Sequence, residues 1–134
     1  MNKTFEECAE DKPQTIYFDR TFNDVRLIVM RGPGCVNGYV GVKENHPYFG
    51  KSYDDTNIDC HGGLTYANMG DDKYGWPSDY YWFGWDYAHL GDKTFYDLND
   101  RWGLSGEHGW TPAEVLAEGL DVVEQFEAIQ NEVK

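Results

Sequence analysis

Residues 24–42 read DVRLIVMRGPGCVNGYVGV and give the strongest indication of fold in the chain. Valine, leucine and isoleucine dominate residues 24–32, a composition typical of a β-strand. Gly32-Pro33-Gly34 interrupts this run and predicts a turn, after which residues 35–42 form another strand. We therefore expect these two strands to form a hairpin.

Other segments of the chain also have the composition of strands. They are TIYFDR at residues 15–20, two short runs at residues 57–61 and 64–67, and YYWFGWDYA at residues 80–88. Gly62-Gly63 separates the two short runs and is a hairpin signal. The last segment is apolar enough to be a central, largely buried strand. The pattern predicts an antiparallel sheet of about five strands.

A C-terminal helix is expected over residues 111–133. Thr111 and Glu114 have the spacing of a capping box, and Pro112 takes the first helical position. Apolar or small residues then recur at helical spacing, at Val115, Gly119, Val122, Phe126, Ile129 and Val133. The sequence thus predicts an α+β fold in a single domain, residues 1–134, with this amphipathic helix packed on one face of the sheet. Residues 1–13 form an acidic N-terminal segment.

Acidic residues outnumber basic ones by 24 to 11, which gives a net charge of −13. Such a surface repels phosphate backbones and argues against direct binding of nucleic acid. It suits a partner with a basic surface or a bound cation, and it equally serves solubility.

The cysteines and the hydropathy of the chain favour a cytoplasmic location. Cys8, Cys35 and Cys60 lack the spacing of a disulfide framework and form no CxxC pair, so we expect reduced thiols. Residues 1–12 contain no apolar segment, and no run approaches 18 apolar residues. We therefore expect neither a secretion signal nor a membrane span.

Asp86, His89 and Asp92 are spaced three residues apart and form a candidate metal site. This spacing places the three side chains on one side of a helical turn or around a tight loop. With His61 or Asp59 from the predicted hairpin they could hold Zn, Mn or Fe through imidazole and carboxylate ligands. Alternatively, His89 caps the end of the strand and bonds to Asp86, while the aspartates order turns.

His61-Gly62-Gly63 forms a second candidate site. A histidine before two glycines can act as an acid or base, with exposed backbone N–H groups nearby as anion donors. The same text resembles an esterase oxyanion loop, but the GxSxG elbow of that fold is absent and residues 103–106 do not replace it. An ordinary Gly-Gly hairpin explains the segment equally well.

Adjacent aspartates and a run of aromatic residues complete the candidate ligand site. Asp54 and Asp55 can bind a cation, a ribose or an arginine, or they simply form a turn. Residues 80–85 place aromatic rings on both faces of a strand, so one face is core, and the other is core too or stacks a flat ligand such as a nucleobase. The ligand-binding residues we predict are His61, Gly62, Gly63, Tyr66, Trp85, Asp86, His89, Asp54 and Asp55.

The C-terminal helix carries acidic residues about one turn apart. Glu114, Glu118, Asp121 and Glu124 would form a charged ridge that imitates a nucleic-acid backbone and enters a basic groove of a partner. Solvation of the surface is the alternative role of this ridge.

The chain resembles a group of small proteins met in bacteriophages and mobile elements, whose recurring text is GYVGV, HP.YGK.YDD, VHGGLTY and GFD.AH.GD. The matches cover about half the chain, from Gly38 to Asp92, with Phe49, Cys60, Trp85 and Tyr87 as departures. This resemblance implies a non-enzymatic, phage-type antagonist of bacterial immunity, an anti-CRISPR or related anti-defence protein. It would use its acidic surface to bind a host defence protein that has a basic surface, or it would sequester a nucleotide-like small molecule. The alternative is a metal-dependent hydrolase that uses His61, Asp86, His89 and Asp92.

Overall fold

The computed structural model describes residues 2–99 and 108–132, and it confirms the α+β class with a five-stranded antiparallel sheet and a C-terminal helix. The strands are β1 (Ile16–Phe22), β2 (Val25–Arg31), β3 (Val36–Val42), β4 (Tyr66–Met69) and β5 (Tyr81–Trp85). The helices are α1 (Phe5–Ala9) and α2 (Pro112–Glu132). Strand order across the sheet is β1-β2-β3-β5-β4.

The predicted hairpin is present as β2 and β3. Leu27 pairs with Val40 and Ile28 with Tyr39, and the backbone N–H of Gly32 closes the turn on the carbonyl of Cys35 at 2.7 Å. β1 joins this hairpin through a turn at Asn23, whose φ of 55° lies in the left-handed region that asparagine tolerates. The prediction for residues 15–20 therefore stopped two residues short of the end of β1.

The strand predicted at residues 57–61 is wrong, because no strand lies between Val42 and Tyr66. The backbone of Asp59 instead bonds to a side chain of α2. Gln125 accepts from the N–H of Asp59 and donates to its carbonyl, both at 2.7 Å. These two bonds satisfy the backbone without a partner strand. The strand predicted at residues 64–67 exists but begins two residues later, as β4.

β5 is buried along its whole length, as predicted, but it lies between β3 and β4 and the central strand is β3. Gly38 pairs with Trp85 and Gly41 with Trp82 across β3 and β5. A Cβ added to Gly41 would lie 2.8 Å from the ring of Trp82. The indoles therefore lie flat over the glycines of the neighbouring strand.

α2 covers one face of the sheet with the predicted apolar stripe. Val115, Gly119, Val122 and Phe126 are buried, and Ile129 is half-buried. Gly119 is needed for close approach, because a Cβ there would lie 2.9 Å from Leu27. The predicted capping box begins the helix, with the N–H of Thr111 donating to Glu114 at 3.0 Å. Val133 lies outside the described residues.

The acidic N-terminal segment contains α1, which begins with its own capping box between Thr4 and Glu7. Phe5 and Cys8 are buried and attach this helix to the core. Across residues 2–99 and 108–132, no helix has the length and hydropathy needed to cross a membrane.

Candidate metal centre

Two loops bring the candidate site together. His61 lies in the Gly-Gly turn before β4, and His89 and Asp92 lie in the loop after β5. In the turn, Gly62 and Gly63 have φ of 69° and 78°, and the N–H of Gly63 bonds to the carbonyl of Cys60 at 2.9 Å. The turn predicted from the two glycines is therefore present, although it does not follow a strand.

Asp92 is the centre of the cluster. Its Oδ2 lies 2.7 Å from Nε2 of His61 and 3.5 Å from Nδ1 of His89. One ligand atom from each of these residues lies within 4.8 Å of the other two. Metal–ligand bonds of about 2.0–2.2 Å in a tetrahedral site place neighbouring ligands roughly 3.3 Å apart. Small side-chain adjustments would therefore suffice for His61, His89 and Asp92 to bind one ion.

His89 has a buried ring nitrogen without a hydrogen-bond partner. Among the described residues, Nδ1 of His89 is the buried side-chain atom left unsatisfied. Its other nitrogen, Nε2, lies 3.6 Å from Oδ1 of Asp86. Gly62 packs against the same ring, and a Cβ at that glycine would overlap the imidazole. The ring is thus fixed with its unpaired nitrogen facing Asp92, and such an orphaned polar atom calls for an explanation.

The Asp92 carboxylate is held by several donors. Its side chain is 5% exposed, and it accepts from Nε1 of Trp110 at 2.9 Å and from the N–H of His89 at 3.0 Å. Burial alone would raise the pKa of Asp92, but the hydrogen bonds from His61, His89 and Trp110 lower it below its ordinary value. The carboxylate therefore stays ionised and able to bind a cation.

A second set of contacts positions His61. Its ring stacks on Tyr87 with centroids 4.6 Å apart and planes 19° from parallel. The Tyr87 hydroxyl donates to Glu118, and the other oxygen of Glu118 accepts from the N–H of His61 at 3.1 Å. Trp85 donates to the Tyr87 hydroxyl at 2.9 Å. Burial, and then the bond to Glu118, raise the pKa of Tyr87, so this hydroxyl remains a donor.

The structure separates the predicted metal ligands into two groups. His89 and Asp92 converge with His61, whereas Asp86 lies beside the opposite nitrogen of His89. Asp86 also accepts from the hydroxyl of Thr65 at 3.0 Å and from the N–H of Ala88 at 3.1 Å. It is placed to orient His89 rather than to bind the same ion. The expectation that the aspartates order turns is also met at Asp86.

Other predicted ligand residues lie elsewhere or behind the cluster. Trp85 is buried and donates its indole N–H to the hydroxyl of Tyr87, behind the cluster. Asp54 and Asp55 are exposed in a 3-10 turn, Tyr53–Asp55, that Ser52 caps. Tyr66 lies on the opposite face of the sheet.

Cys60 precedes His61, but burial raises the pKa of its thiol to about 12, as expected for a structural cysteine. Residues 103–106 lie outside the described residues.

Two of the four carboxylates predicted for the acidic ridge on α2 bond to other parts of the fold, and the other two are exposed. Glu118 is half-buried against Tyr87 and His61, and Glu114 bonds to Thr111 and to His108. Asp121 and Glu124 are exposed. The exposed face also carries Ala113, Ala117, Leu120 and Ala128, so it is less acidic than the sequence pattern indicated.

Sequence reasoning missed Trp110 and the role of Tyr87. Trp110 lies in a segment without periodic pattern, and nothing local indicates that its N–H bonds to Asp92. Tyr87 lies two residues after Trp85, and side chains two residues apart in an extended segment face the same side. This spacing was the available signal that both rings face α2.

The fold and this cluster define a small α+β protein with a candidate mononuclear His-His-Asp metal centre. Comparisons of the chain with protein-family models, with curated proteins and with solved structures found no match.

Proposed function

We propose that the protein is a metal-dependent hydrolase with His61, His89 and Asp92 as ligands of one divalent ion. The observation that carries this proposal is the buried, unpartnered Nδ1 of His89, which faces Asp92. A metal ion would satisfy that nitrogen and would separate the ionised carboxylate from the two imidazoles. Two histidines and one carboxylate are ligands suited to Zn²⁺ and to Fe²⁺.

The number of protein ligands favours a catalytic ion over a structural one. The side chains of His61 and His89 are 26% and 35% exposed, so the cluster lies at the protein surface, although Nδ1 of His89 and the Asp92 carboxylate are themselves buried. Structural zinc sites are closed by four protein ligands, whereas catalytic sites keep a position for water. When bound, such an ion supplies a Lewis acid and lowers the pKa of its water toward neutrality.

Residues around the three ligands would tune their geometry. Asp86 faces Nε2 of His89 and would fix the tautomer in which Nδ1 is free to bind. Trp110 would hold the remaining oxygen of Asp92, and Glu118 would hold His61 through its backbone and through Tyr87. Metal-binding side chains in proteins usually make such hydrogen bonds to a carboxylate or another polar group, which orient them toward the ion.

The first test is metal stoichiometry, followed by activity. Apo protein titrated with Zn²⁺, Mn²⁺ or Fe²⁺ in a calorimeter should bind one ion. His89→Ala and Asp92→Asn should abolish binding, while His108→Ala, an exposed histidine outside the cluster, should retain it. The loaded protein should hydrolyse at least one of a panel of nitrophenyl acetate, phosphate and phosphodiester substrates. Binding of no ion at all would contradict both the site and the hydrolase.

A second candidate is the non-enzymatic antagonist of a bacterial defence protein. The exposed carboxylates Asp121 and Glu124 on α2, together with a net charge of −13, favour binding to a basic surface. Asp121→Lys with Glu124→Lys should weaken such a complex and reduce its salt dependence. Glu118→Lys is unsuitable for this test, because Glu118 bonds inside the fold.

A further inference from the structure

A pocket of about 300 Å³ lies on the face of the sheet that α2 does not cover. Tyr39 and Tyr66 pair with Gly84 from either side, and their rings lie on this outer face. Their sequence neighbours Val40 and Ala67 belong to the core beneath α2 instead. The pocket shares no lining residue with the His61–His89–Asp92 cluster.

Three aromatic rings form the walls of this pocket. Trp76 contacts Tyr39 with centroids 4.8 Å apart and planes at 61°, and Tyr66 meets Tyr39 edge-on at 6.0 Å and 87°. The remaining lining residues come from β2, from the β2–β3 turn and from the segment before β1, and they are Met30, Arg31, Gly32, Pro33, Pro13 and Gln14.

Two of these walls, Tyr39 and Trp76, are held in place by packing. The Tyr39 ring lies over Gly84, where a Cβ would be 2.7 Å from Cδ1 of that ring. Trp76 also packs on Trp82 at 5.2 Å, and Trp82 is 1% exposed. Gln14 is held at φ 71° by a 2.7 Å bond from its N–H to the carbonyl of Arg31. Rigid aromatic walls reduce the entropy lost on binding.

Among the described residues that line the pocket, Arg31 is the one charged residue, and its guanidinium points away. That group donates to the carbonyls of Cys8, Ala9, Gly32 and Pro33 and lies 4.2 Å from the ring centroid of Phe95. Aromatic faces with hydroxyl and amide groups at the edge suit a flat, uncharged ring with polar edges.

We propose that this pocket binds the base of a nucleoside between Tyr66 and Trp76. A volume of 300 Å³ is at the lower limit of small-molecule sites, which suits a base or nucleoside rather than a dinucleotide. The phosphate of a nucleotide would find no free cation among the lining residues, and the net charge of −13 would repel it. The proposal is independent of the metal centre.

The test is an NMR titration of the full chain with adenosine, guanosine, cytidine and uridine, followed by the corresponding 5′-monophosphate and a short single strand. At least one nucleoside should bind saturably, and its monophosphate and the strand should bind more weakly. Tyr66→Ala should weaken binding about tenfold or more. Tyr53→Ala is the matched control, since Tyr53 is 38% exposed against 37% for Tyr66 and lies outside the pocket.

Four results would overturn the proposal. They are the absence of saturable binding by all four nucleosides, equal loss in the Tyr53 and Tyr66 variants, no loss in the Tyr66 variant, and tighter binding of the monophosphate or the strand. Addition of a metal chelator should leave nucleoside affinity unchanged, which separates this site from the metal centre.

Discussion

His46 and His89 both lie in loops that follow interior strands, yet their ring nitrogens differ in their partners. His46 is 4% exposed, its Nε2 bonds to the carbonyl of Phe126 at 2.8 Å, and its Nδ1 accepts from the N–H of Tyr48 at 2.9 Å. His89 has a buried Nδ1 with no partner. A histidine with both nitrogens satisfied belongs to the architecture of the fold. One that keeps a nitrogen unpaired beside a carboxylate and a second imidazole is placed to bind something.

The largest difference we expect between His89 and His46 concerns the stability that a bound metal ion adds. At about 1,000 times its dissociation constant, a bound ion should raise the free energy of unfolding by about 4 kcal/mol. His89→Ala should remove this stabilisation completely, because one of three ligands is lost. Thermal or urea unfolding with and without Zn²⁺ measures the difference. A metal-induced gain that persists in His89→Ala would show that the ion binds elsewhere.

Replacement of His46 should lower the stability of the apo protein and leave its metal affinity unchanged. His46→Ala leaves a buried cavity and the N–H of Tyr48 without its acceptor, so we expect a loss of about 2–3 kcal/mol in the free energy of unfolding. Metal affinity should not change, since His46 lies outside the cluster. Urea unfolding of the apo protein and calorimetric titration of the same sample measure both quantities. A large fall in metal affinity with little loss of stability would contradict this assignment.

Alanine substitutions at the two glycines after His61 distinguish the effect of backbone strain on stability from the effect of site geometry on metal binding. Both have positive φ, so alanine at either position should cost about 1–2 kcal/mol of stability. Only at Gly62 would the added Cβ meet the ring of His89, whereas the Cβ at Gly63 enters open space. We therefore expect Gly62→Ala to weaken metal binding about 10- to 100-fold, the range typical of mutations at residues that contact and orient metal ligands. Gly63→Ala should leave the affinity unchanged, and equal losses in both variants would contradict the geometry.

The local signals in the chain were sufficient for most of the fold. Alternation along β2 and β3 places Val25, Leu27 and Val40 under α2, and the capping box at Thr111 marks where that helix begins. The strand predicted at residues 57–61 failed because Gln125, 66 residues away, supplies the backbone partners of Asp59. A side chain that replaces a strand leaves no trace in local composition.

The candidate site was predictable only where spacing carried the information. His89 and Asp92 are three residues apart and therefore meet in one loop. The Gly62-Gly63 turn was the signal that indicated His61 as a further ligand. Glu118 was assigned to the acidic ridge, yet it lies one turn from Val115 and Val122, at the edge of the buried stripe. At such a boundary, the contacts from Tyr87 and His61 decide which way the carboxylate faces. Those contacts join distant parts of the chain.

The smallest effect we expect is the pH dependence that His46 contributes to stability. Burial lowers the pKa of His46 below its ordinary value of 6.5, although the bond to Phe126 opposes this shift. Well above pH 6.5 the ring is neutral in both the folded and the unfolded chain, so there it adds no pH dependence. As the pH falls below 6.5 the unfolded chain gains a proton before the folded one, and stability decreases, with a slope of at most about 1.4 kcal/mol per pH unit for one proton.

His46→Gln isolates this contribution, because the other histidines remain in both proteins. The free energy of unfolding of the native sequence should fall more steeply than that of His46→Gln between pH 6.5 and pH 5, and the two curves should run parallel above about pH 8, well above the ordinary pKa of histidine. Urea unfolding at each pH measures the difference. Parallel curves throughout would mean that the folded chain protonates His46 as readily as the unfolded one, and the contrast with His89 would then rest on hydrogen bonds alone.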